Sequence, residues 1–267
     1  MTADPPKEAI VSTRLSRKGP LVEETFIAFQ RWDLNETLGK NLARLEGENP
    51  FGAKSARWLK EVTRTISARF RDAKIRPLVL MAQAGCPLDT WKPCFLWHVA
   101  RRDLLYYEFG IDWLYPAYRS GAYALRTKDL VEFVKTITAG RLAKSKQITE
   151  YGATRLARDL LMAAELFGLI HGNVSRVFSH RHIPVTSFLY IAQAIAETSG
   201  GGRALIDSAD WKLFLLSPDD VEQEFHELHQ FQKVRIEAAG SLISLKLPAT
   251  SLEEYSEQVS KEKSWNA

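Results

Sequence analysis

The sequence predicts a mainly α-helical protein, and three observations lead to this fold class. Apolar residues recur at helical spacing through most of the 267-residue chain. Gly, Pro and capping residues divide these segments into helix-length pieces. Segments typical of strands are confined to two short stretches in the second half of the chain. With 45% hydrophobic and 25% charged residues, the chain suits one large domain or two to three small ones.

Composition indicates the expected compartment. Cys86 and Cys94 follow neither a CxxC nor a zinc-ligand spacing, and no N-terminal stretch has the organisation of a signal peptide. The longest apolar runs fall short of the ~20 residues that a membrane helix requires. We therefore expect a cytoplasmic protein that does not contact a membrane. Residues 1–20 contain three prolines and no periodicity, which predicts a flexible leader.

The charges are distributed unevenly along the chain. Residues 1–185 carry 29 Lys and Arg against 19 Asp and Glu, whereas residues 186–267 carry 7 against 13. The basic part is suited to a polyanion, and the acidic part to a protein partner or to solubility. An ordinary solvated surface explains the same imbalance, so charge alone leaves both interpretations open.

Residues 21–124 are predicted to form an N-terminal helical domain. A helix over about 54–73 places Leu59, Val62, Ile66 and Phe70 on one stripe. Four cations share another stripe, where they can follow a phosphate backbone or simply face solvent; they are Arg57, Lys60, Arg64 and Arg71. A later aromatic cluster has helical spacing and few interleaved cations, so we assign it to the core rather than to base stacking. It comprises Trp91, Trp97, Tyr106, Tyr107, Trp113, Tyr115 and Tyr118.

The segment TEYGATRLARDLLMAAELFGLIHG, residues 149–172, predicts an amphipathic helix that ends at Gly168. Leu156, Leu160, Ala163, Ala164 and Phe167 fall on one face, which we expect to be buried. Tyr151, Arg155, Arg158 and Met162 fall on the opposite face. Recognition helices of DNA-binding proteins present exposed residues of this kind in their N-terminal half.

A winged helix-turn-helix is predicted over residues 125–185. A helix with Thr127 as N-cap and Gly140 at its end precedes the amphipathic helix, and a basic hairpin that turns at Gly172 and Asn173 follows it. This order predicts a winged helix that binds DNA. The same pattern also fits a helix and hairpin used for packing or for protein contact. The residues expected to contact phosphates are Lys144, Lys146, Tyr151, Arg155, Arg158, Arg176 and Arg181.

Residues 186–267 are predicted to form a small, acidic α+β domain. We expect two or three helices, with Ser217 and Asp219 as capping residues around Pro218. A β-hairpin is expected in QKVRIEAAGSLISLKLP, and a short helix begins near TSLEEYSEQV.

Motifs for catalysis are weak throughout the chain. The stretch SGGGR lacks the spacing and the Lys of a phosphate-binding loop, and we interpret it as a plain loop. His226 and His229 lie one turn apart after Glu222, but they do not form HExxH. His171, His180 and His182 on the hairpin are expected to contact phosphate or water. We therefore expect no enzymatic activity, cofactor, bound metal or small-molecule substrate.

Several phrases of the sequence resemble the BrxA family of bacteriophage-exclusion (BREX) defence systems. They are TRLARDLLMAAELFGLI followed by a hairpin, IPVTSFLYIAQAIAE, DWKLFLLSPDDVEQEFHEL and AAGSLISLKLPATSLEEY, and the resemblance covers about residues 21–257. It implies a mainly helical protein with a winged-helix element that binds double-stranded DNA without strong sequence preference. It also implies a place beside the methyltransferase and ATPase of the system. The rival hypotheses are a scaffold that binds other defence subunits, an RNA-binding protein, and a nuclease or other metal-dependent enzyme that uses His226 or His229.

Overall fold

The computed structural model describes residues 18–71, 74–142, 147–180, 182–239, 242–263 and 265. These residues are mainly helical, as predicted, with two small antiparallel sheets. The first half contains α1 (Val22–Gln30), α2 (Leu38–Glu48), α3 (Ala56–Phe70), α4 (Arg76–Gln83), α5 (Leu88–Ala100), α6 (Leu104–Glu108), a π-helical segment (Phe109–Leu114) and α7 (Tyr115–Arg119). The second half contains α8 (Thr127–Thr138), α9 (Glu150–Leu166), β1 (Ile170–Gly172), β2 (Arg176–Phe178), α10 (Val185–Ser199), α11 (Arg203–Ile206), a 3₁₀ helix (Ala209–Phe214), α12 (Pro218–Gln230), β3 (Arg235–Ala239), β4 (Leu242–Lys246) and α13 (Leu252–Glu262).

The chain forms two compact units whose segments alternate along the sequence. Unit 1 comprises Leu96–His182 and Ala194–Pro248, with the described residues 18–20. Unit 2 comprises Leu21–Phe95, Ile183–Gln193 and the described part of Ala249–Ala267. These units do not coincide with the three consecutive domains predicted from sequence. Most of the predicted leader lies outside the described residues.

Unit 2 is organised around aromatic side chains. Phe29 lies with its ring centroid 5.5 Å from that of Phe70 and 6.1 Å from that of Trp91, which stacks on Phe95 at 4.7 Å. Edge contacts of this kind add about 0.5–1.5 kcal/mol per pair to the burial of the rings. The Arg76 guanidinium adds an exposed link by pairing with carboxylates of α13. The rings therefore contribute more to the stability of unit 2 than this exposed ion pair.

Unit 1 contains two buried polar anchors. The Asp210 carboxylate accepts hydrogen bonds from Trp97 Nε1 and Tyr107 Oη, both at 2.7 Å, and from Arg101 Nη1 at 3.4 Å. Arg141, just after α8, donates two hydrogen bonds of 2.7 and 2.8 Å to the carboxylate of Glu108 at the end of α6. Buried charges require such complete pairing, because an unpaired one costs several kcal/mol. The Arg141–Glu108 pair therefore links the end of α8 to the end of α6.

Most of the predicted aromatic cluster is buried, in agreement with its assignment to the core. Trp91, Trp97, Tyr106 and Tyr107 are buried, while the other three members are half-buried and are Trp113, Tyr115 and Tyr118. The cluster is divided between the two units, because Trp91 belongs to unit 2 and the other members belong to unit 1.

The acidic C-terminal segments follow the predicted elements closely. The Ser217 hydroxyl caps α12 in a capping box, but its partner is Asp220 rather than Asp219. The predicted hairpin is present as β3 and β4, which pair with Arg235 opposite Lys246. The glycine stretch is a loop, as expected. Gly202 is needed there because its φ of 62° is left-handed and a side chain would collide with the Ile243 carbonyl oxygen.

Candidate nucleic-acid interface

Helix α9 begins and ends at clear local signals. The Thr149 hydroxyl accepts a hydrogen bond from the Gly152 backbone N–H at 3.1 Å, which caps the first turn. At the other end, Gly168 adopts φ 80° and its N–H bonds to the Glu165 carbonyl, while Leu169 N–H bonds to the Ala164 carbonyl. This Schellman arrangement stops the helix and directs the chain into β1.

The two faces of α9 are oriented as the sequence predicts. The predicted apolar face is buried in full, namely Leu156, Leu160, Ala163, Ala164 and Phe167, and α9 packs against α8 and β1. On the opposite face, Tyr151 is 77% exposed and Met162 is 39% exposed. The side chains of Arg155 and Arg158 are 55% and 62% exposed. Two guanidinium groups and a phenol therefore face solvent from the first three turns.

A buried carboxylate that the sequence reasoning did not select lies between the two arginines. Asp159 is only 7% exposed. Its Oδ2 lies 3.9 Å from Arg155 Nε, and its Oδ1 lies 3.6 Å from Arg158 Nη2. Burial raises the pKa of Asp159, and the two guanidinium groups partly oppose that rise. The i,i+4 spacing of Arg155 and Asp159 is the signal from which this contact was predictable.

The first turn of α9 is tied to α8. Lys135 Nζ contacts Glu132 at 2.8 Å within α8 and Glu150 at 2.6 Å at the start of α9. These two carboxylates raise the pKa of Lys135. The contact with Glu150 is exposed and contributes little stability.

The hairpin after α9 forms where it was predicted. Gly172 pairs with Arg176, and the tip residues 173–175 are exposed. A methyl group at Gly172 would lie 2.6 Å from the Ser175 carbonyl oxygen, so the tight turn requires glycine. Leu125, before α8, adds one antiparallel bridge on the other side of β2 through two backbone hydrogen bonds to Arg176.

Arg176 has a different position from the one expected of a phosphate contact. The residue is 8% exposed, and its Nε donates to Glu165 Oε2 at 3.1 Å. Its guanidinium charge is therefore compensated by a carboxylate beneath the hairpin, because the alternation of β2 directs this side chain inward. We assign Arg176 to the packing of β2 and leave it out of the candidate interface.

The remaining predicted contacts fall into two groups. Lys144, Lys146 and Arg181 lie outside the described residues. The α3 cations are all exposed, in unit 2, while Leu59, Val62, Ile66 and Phe70 are buried, as the helical pattern predicted. These exposed cations are Arg57, Lys60, Arg64 and Arg71.

The sequence also offers candidate metal ligands and thiols as sources of chemistry. Within those parts, no group of three or more His, Cys, Asp or Glu side chains is arranged to hold a metal ion. His226 is exposed, and His229 Nδ1 lies 3.3 Å from the Val234 carbonyl oxygen. Burial raises the pKa of the free Cys86 thiol to about 12 and raises that of Cys94 well above its ordinary value. Both thiols are therefore protonated at neutral pH.

Among the described residues, none of the helices has the length and apolar character needed to cross a bilayer.

Comparison with known proteins identifies the family of the chain. No match was found among curated proteins or among solved structures. The sequence model of the family described as BrxA matches residues 11–194, which is more than half of the chain and includes α1 to α9 and the β1–β2 hairpin. This chain therefore belongs to the BrxA family, whose members are associated with BREX systems.

Proposed function

We propose that this protein is a non-catalytic, cytoplasmic component of a BREX defence system that binds double-stranded DNA through α9. The observation that carries the proposal is the exposed face of this helix. Arg155, Arg158 and Tyr151 project from its N-terminal half while the opposite face is buried in unit 1. Arginine is well suited to this role because its planar guanidinium forms two parallel bonds with a phosphate.

The order of elements around α9 supports a winged-helix interpretation. A helix precedes the Leu125 bridge, α8 and α9 follow as a helix pair, and β1 and β2 form the hairpin. Strand β2 pairs with β1 along one edge and with Leu125 along its other edge. In a winged helix, the second helix of the pair enters the major groove and the hairpin lies beside it. Under this proposal α9 is the recognition helix and residues 173–175 form the tip of the wing.

Binding is proposed to depend on the phosphate backbone more than on the bases. The exposed side chains of the α9 face include no Asn or Gln, the residues that read adenine in the major groove. The two arginines are able to contact guanine, but the Asp159 carboxylate offsets part of their positive charge. We therefore infer weak sequence preference and a strong dependence on salt.

The test is a fluorescence-polarisation titration of a labelled duplex with wild type and Arg155→Ala/Arg158→Ala. The matched control is Arg203→Ala/Arg235→Ala, which removes two exposed arginines from the same unit and changes the net charge equally. Each lost phosphate contact is expected to weaken binding by roughly fivefold to tenfold near 0.1 M salt. The proposal requires a loss in the α9 variant that exceeds the loss in the control.

Two outcomes would contradict the proposal. Equal losses in both variants would indicate a response to net charge alone, and no binding by folded wild type at low salt would exclude DNA as the ligand. A duplex RNA of the same length serves as a parallel probe, because phosphates attract either polymer. Tighter binding of RNA than of DNA would replace DNA with RNA as the proposed partner.

A second candidate function is assembly with other BREX proteins, such as the methyltransferase and the ATPase. The observation that favours it is Phe231, 73% exposed at the end of the acidic helix α12. Large aromatic side chains are enriched at protein interfaces relative to the rest of the surface. Pull-down of purified subunits with wild type and Phe231→Ala tests this role. Loss of a partner in the variant, with DNA affinity unchanged, is the expected result.

A further inference from the structure

Helix α3 presents a row of cations along one side. Arg57, Lys60, Arg64 and Arg71 fall within a narrow arc of the helical projection, opposite the buried stripe that includes Val62. From the first to the last is 14 residues, or about 21 Å at the rise of an α-helix. The row therefore has the length of several consecutive phosphates rather than of one small anion.

The same side of α3 borders an open groove. The groove measures about 370 Å³ and lies between α2 and α3, where Lys60, Arg64 and Arg71 contribute to its lining. Leu42 and Ala68 add apolar surface to its lining. The groove is thus lined by cations on its α3 side.

Few carboxylates compensate these cations. Glu61 lies 3.7 Å from Arg64 Nη1, and Glu46 in the groove accepts a hydrogen bond from the Thr63 hydroxyl at 2.6 Å. Within the described residues, no ion pair within 4.0 Å involves Arg57, Lys60 or Arg71. Among the described residues of this surface, the four cations face two carboxylates, which leaves the surface positive. Arg31 and Lys40 of the same unit are instead each paired with a Glu.

We infer that this face of α3 is a second DNA-contact surface, which takes the phosphodiester backbone of a duplex. The inference rests on the proposed function, because that proposal identifies the polymer as DNA. The inferred site is separate from α9, because α3 belongs to unit 2. Lys60, Arg64 and Arg71 contact successive phosphates, and Arg57 extends the row. The open groove and the spacing of the charges favour a continuous backbone over a single nucleotide, which occupies only one end of the row.

The experiment uses the full-length protein in a factorial design. The proteins are wild type, Lys60→Ala/Arg64→Ala, Arg155→Ala/Arg158→Ala and the combined variant. The matched control is Arg31→Ala/Lys40→Ala, which removes one Arg and one Lys from elsewhere in unit 2. The affinity for a labelled 30-base-pair duplex is measured at several salt concentrations, and a fluorescent ATP analogue is the mononucleotide probe. A Lys60→Gln/Arg64→Gln variant provides a second test if the alanine variant fails to fold.

The inference predicts that Lys60→Ala/Arg64→Ala weakens duplex binding by roughly tenfold or more near 0.1 M salt. It also predicts that the slope of log K against log salt is smaller in magnitude by about 2 in this variant. The combined variant is expected to lose more duplex affinity than either double variant. The inference would be overturned if Lys60→Ala/Arg64→Ala bound the duplex as tightly as the control variant does. It would also be overturned if this variant lost binding of the ATP analogue but still bound the duplex as wild type does. If only the α3 variant loses affinity, the proposed role of α9 fails and this inference stands. No duplex binding by wild type overturns both.

Discussion

Tyr106 and Tyr107 are adjacent, both are buried, and they differ in hydrogen bonding. The Tyr107 hydroxyl donates to Asp210, whereas the buried Tyr106 hydroxyl has no hydrogen-bond partner within the described residues. A buried, unsatisfied hydroxyl costs about 1–3 kcal/mol. We therefore predict that Tyr106→Phe maintains or raises the free energy of unfolding by about 1 kcal/mol, while Tyr107→Phe lowers it by about 1.5–3 kcal/mol. Urea unfolding of both variants is the measurement, and the opposite order would contradict the assignment of these bonds.

His98 is buried and is predicted to make stability depend on pH. Burial lowers the pKa of His98 to about 3, and the nearby charge of Arg102 adds to this effect. The folded pKa lies below the ordinary value of 6.5, so the unfolded chain binds more protons between these two values. Its contribution to stability is therefore complete above pH 6.5 and is lost as the pH falls toward 3.

Because of His98, the free energy of unfolding is predicted to fall by about 2 kcal/mol between pH 7 and pH 5. The fall amounts to about 1.36 kcal/mol for each pH unit below the ordinary pKa of histidine. Urea unfolding at both pH values measures it. His98→Gln should show a smaller difference between the two pH values, whatever its absolute stability. The exposed His226→Gln variant is the control for the loss of one histidine. An unchanged difference in His98→Gln would show that another group is responsible.

Asp159 is predicted to weaken the proposed DNA contact. Its carboxylate lies within 4 Å of both arginines of the α9 face, where it competes with an incoming phosphate. Asp159→Asn removes this negative charge at nearly constant volume, so we expect duplex affinity to rise by roughly twofold to tenfold, equivalent to about 0.4–1.4 kcal/mol. Titration of the same labelled duplex measures the change. Weaker binding by a folded Asp159→Asn protein would show that the carboxylate instead positions the arginines for binding.

Single residues show what periodicity reveals and what it does not. The exposure of Arg155, Arg158 and Tyr151 follows from the 3.6-residue repeat, so the sequence was sufficient to predict it. The burial of Arg176 was not predictable from its charge. It depends on which side of the three-residue strand β2 points inward and on an ion pair with Glu165, which lies in another element. Short strands carry too few residues to define their inward face.

The hairpin is the element in which a backbone requirement is clearest. Gly172 adopts φ 118°, and a side chain there would meet the Ser175 carbonyl. We predict that Gly172→Ala destabilises the hairpin by about 1–3 kcal/mol. Its amide protons should exchange faster with solvent than in wild type, as measured by hydrogen exchange. The matched control is Gly168→Ala. Gly168 also has a left-handed φ, but an added methyl group there meets open space, and the change affects the end of α9 rather than the hairpin turn. Unchanged exchange in the Gly172→Ala hairpin would contradict this role.

Helices were predicted more reliably than their exact ends. Apolar stripes identified α3 and α9, and both have the predicted buried faces. Thr127 was predicted as the N-cap of α8, but the helix begins at Thr127 and Arg126 is the cap. The difference arises because the Asp129 carboxylate bonds to the Arg126 backbone N–H, which shifts the start by one residue.

For the molecule as a whole, the division into units was not accessible from sequence patterns. Local periodicity identifies each helix, but it does not indicate which distant helices share a core. Unit 2 joins residues 21–95 to the first half of α10 and to α13, partly through the Tyr255 hydroxyl, which bonds to the Thr186 carbonyl. Such pairings between remote segments depend on three-dimensional complementarity. The predicted boundaries at residues 124 and 185 therefore followed composition rather than packing.

The salt dependence of duplex binding by the wild-type protein tests the central claim most directly. Two labelled 30-base-pair duplexes of unrelated sequence are titrated at 50, 100 and 200 mM salt. Backbone recognition predicts a steep linear decrease of log K with log salt, of nearly equal slope and affinity for the two duplexes. No binding at 50 mM salt by the folded protein, or a large difference in affinity between the two sequences, would contradict it.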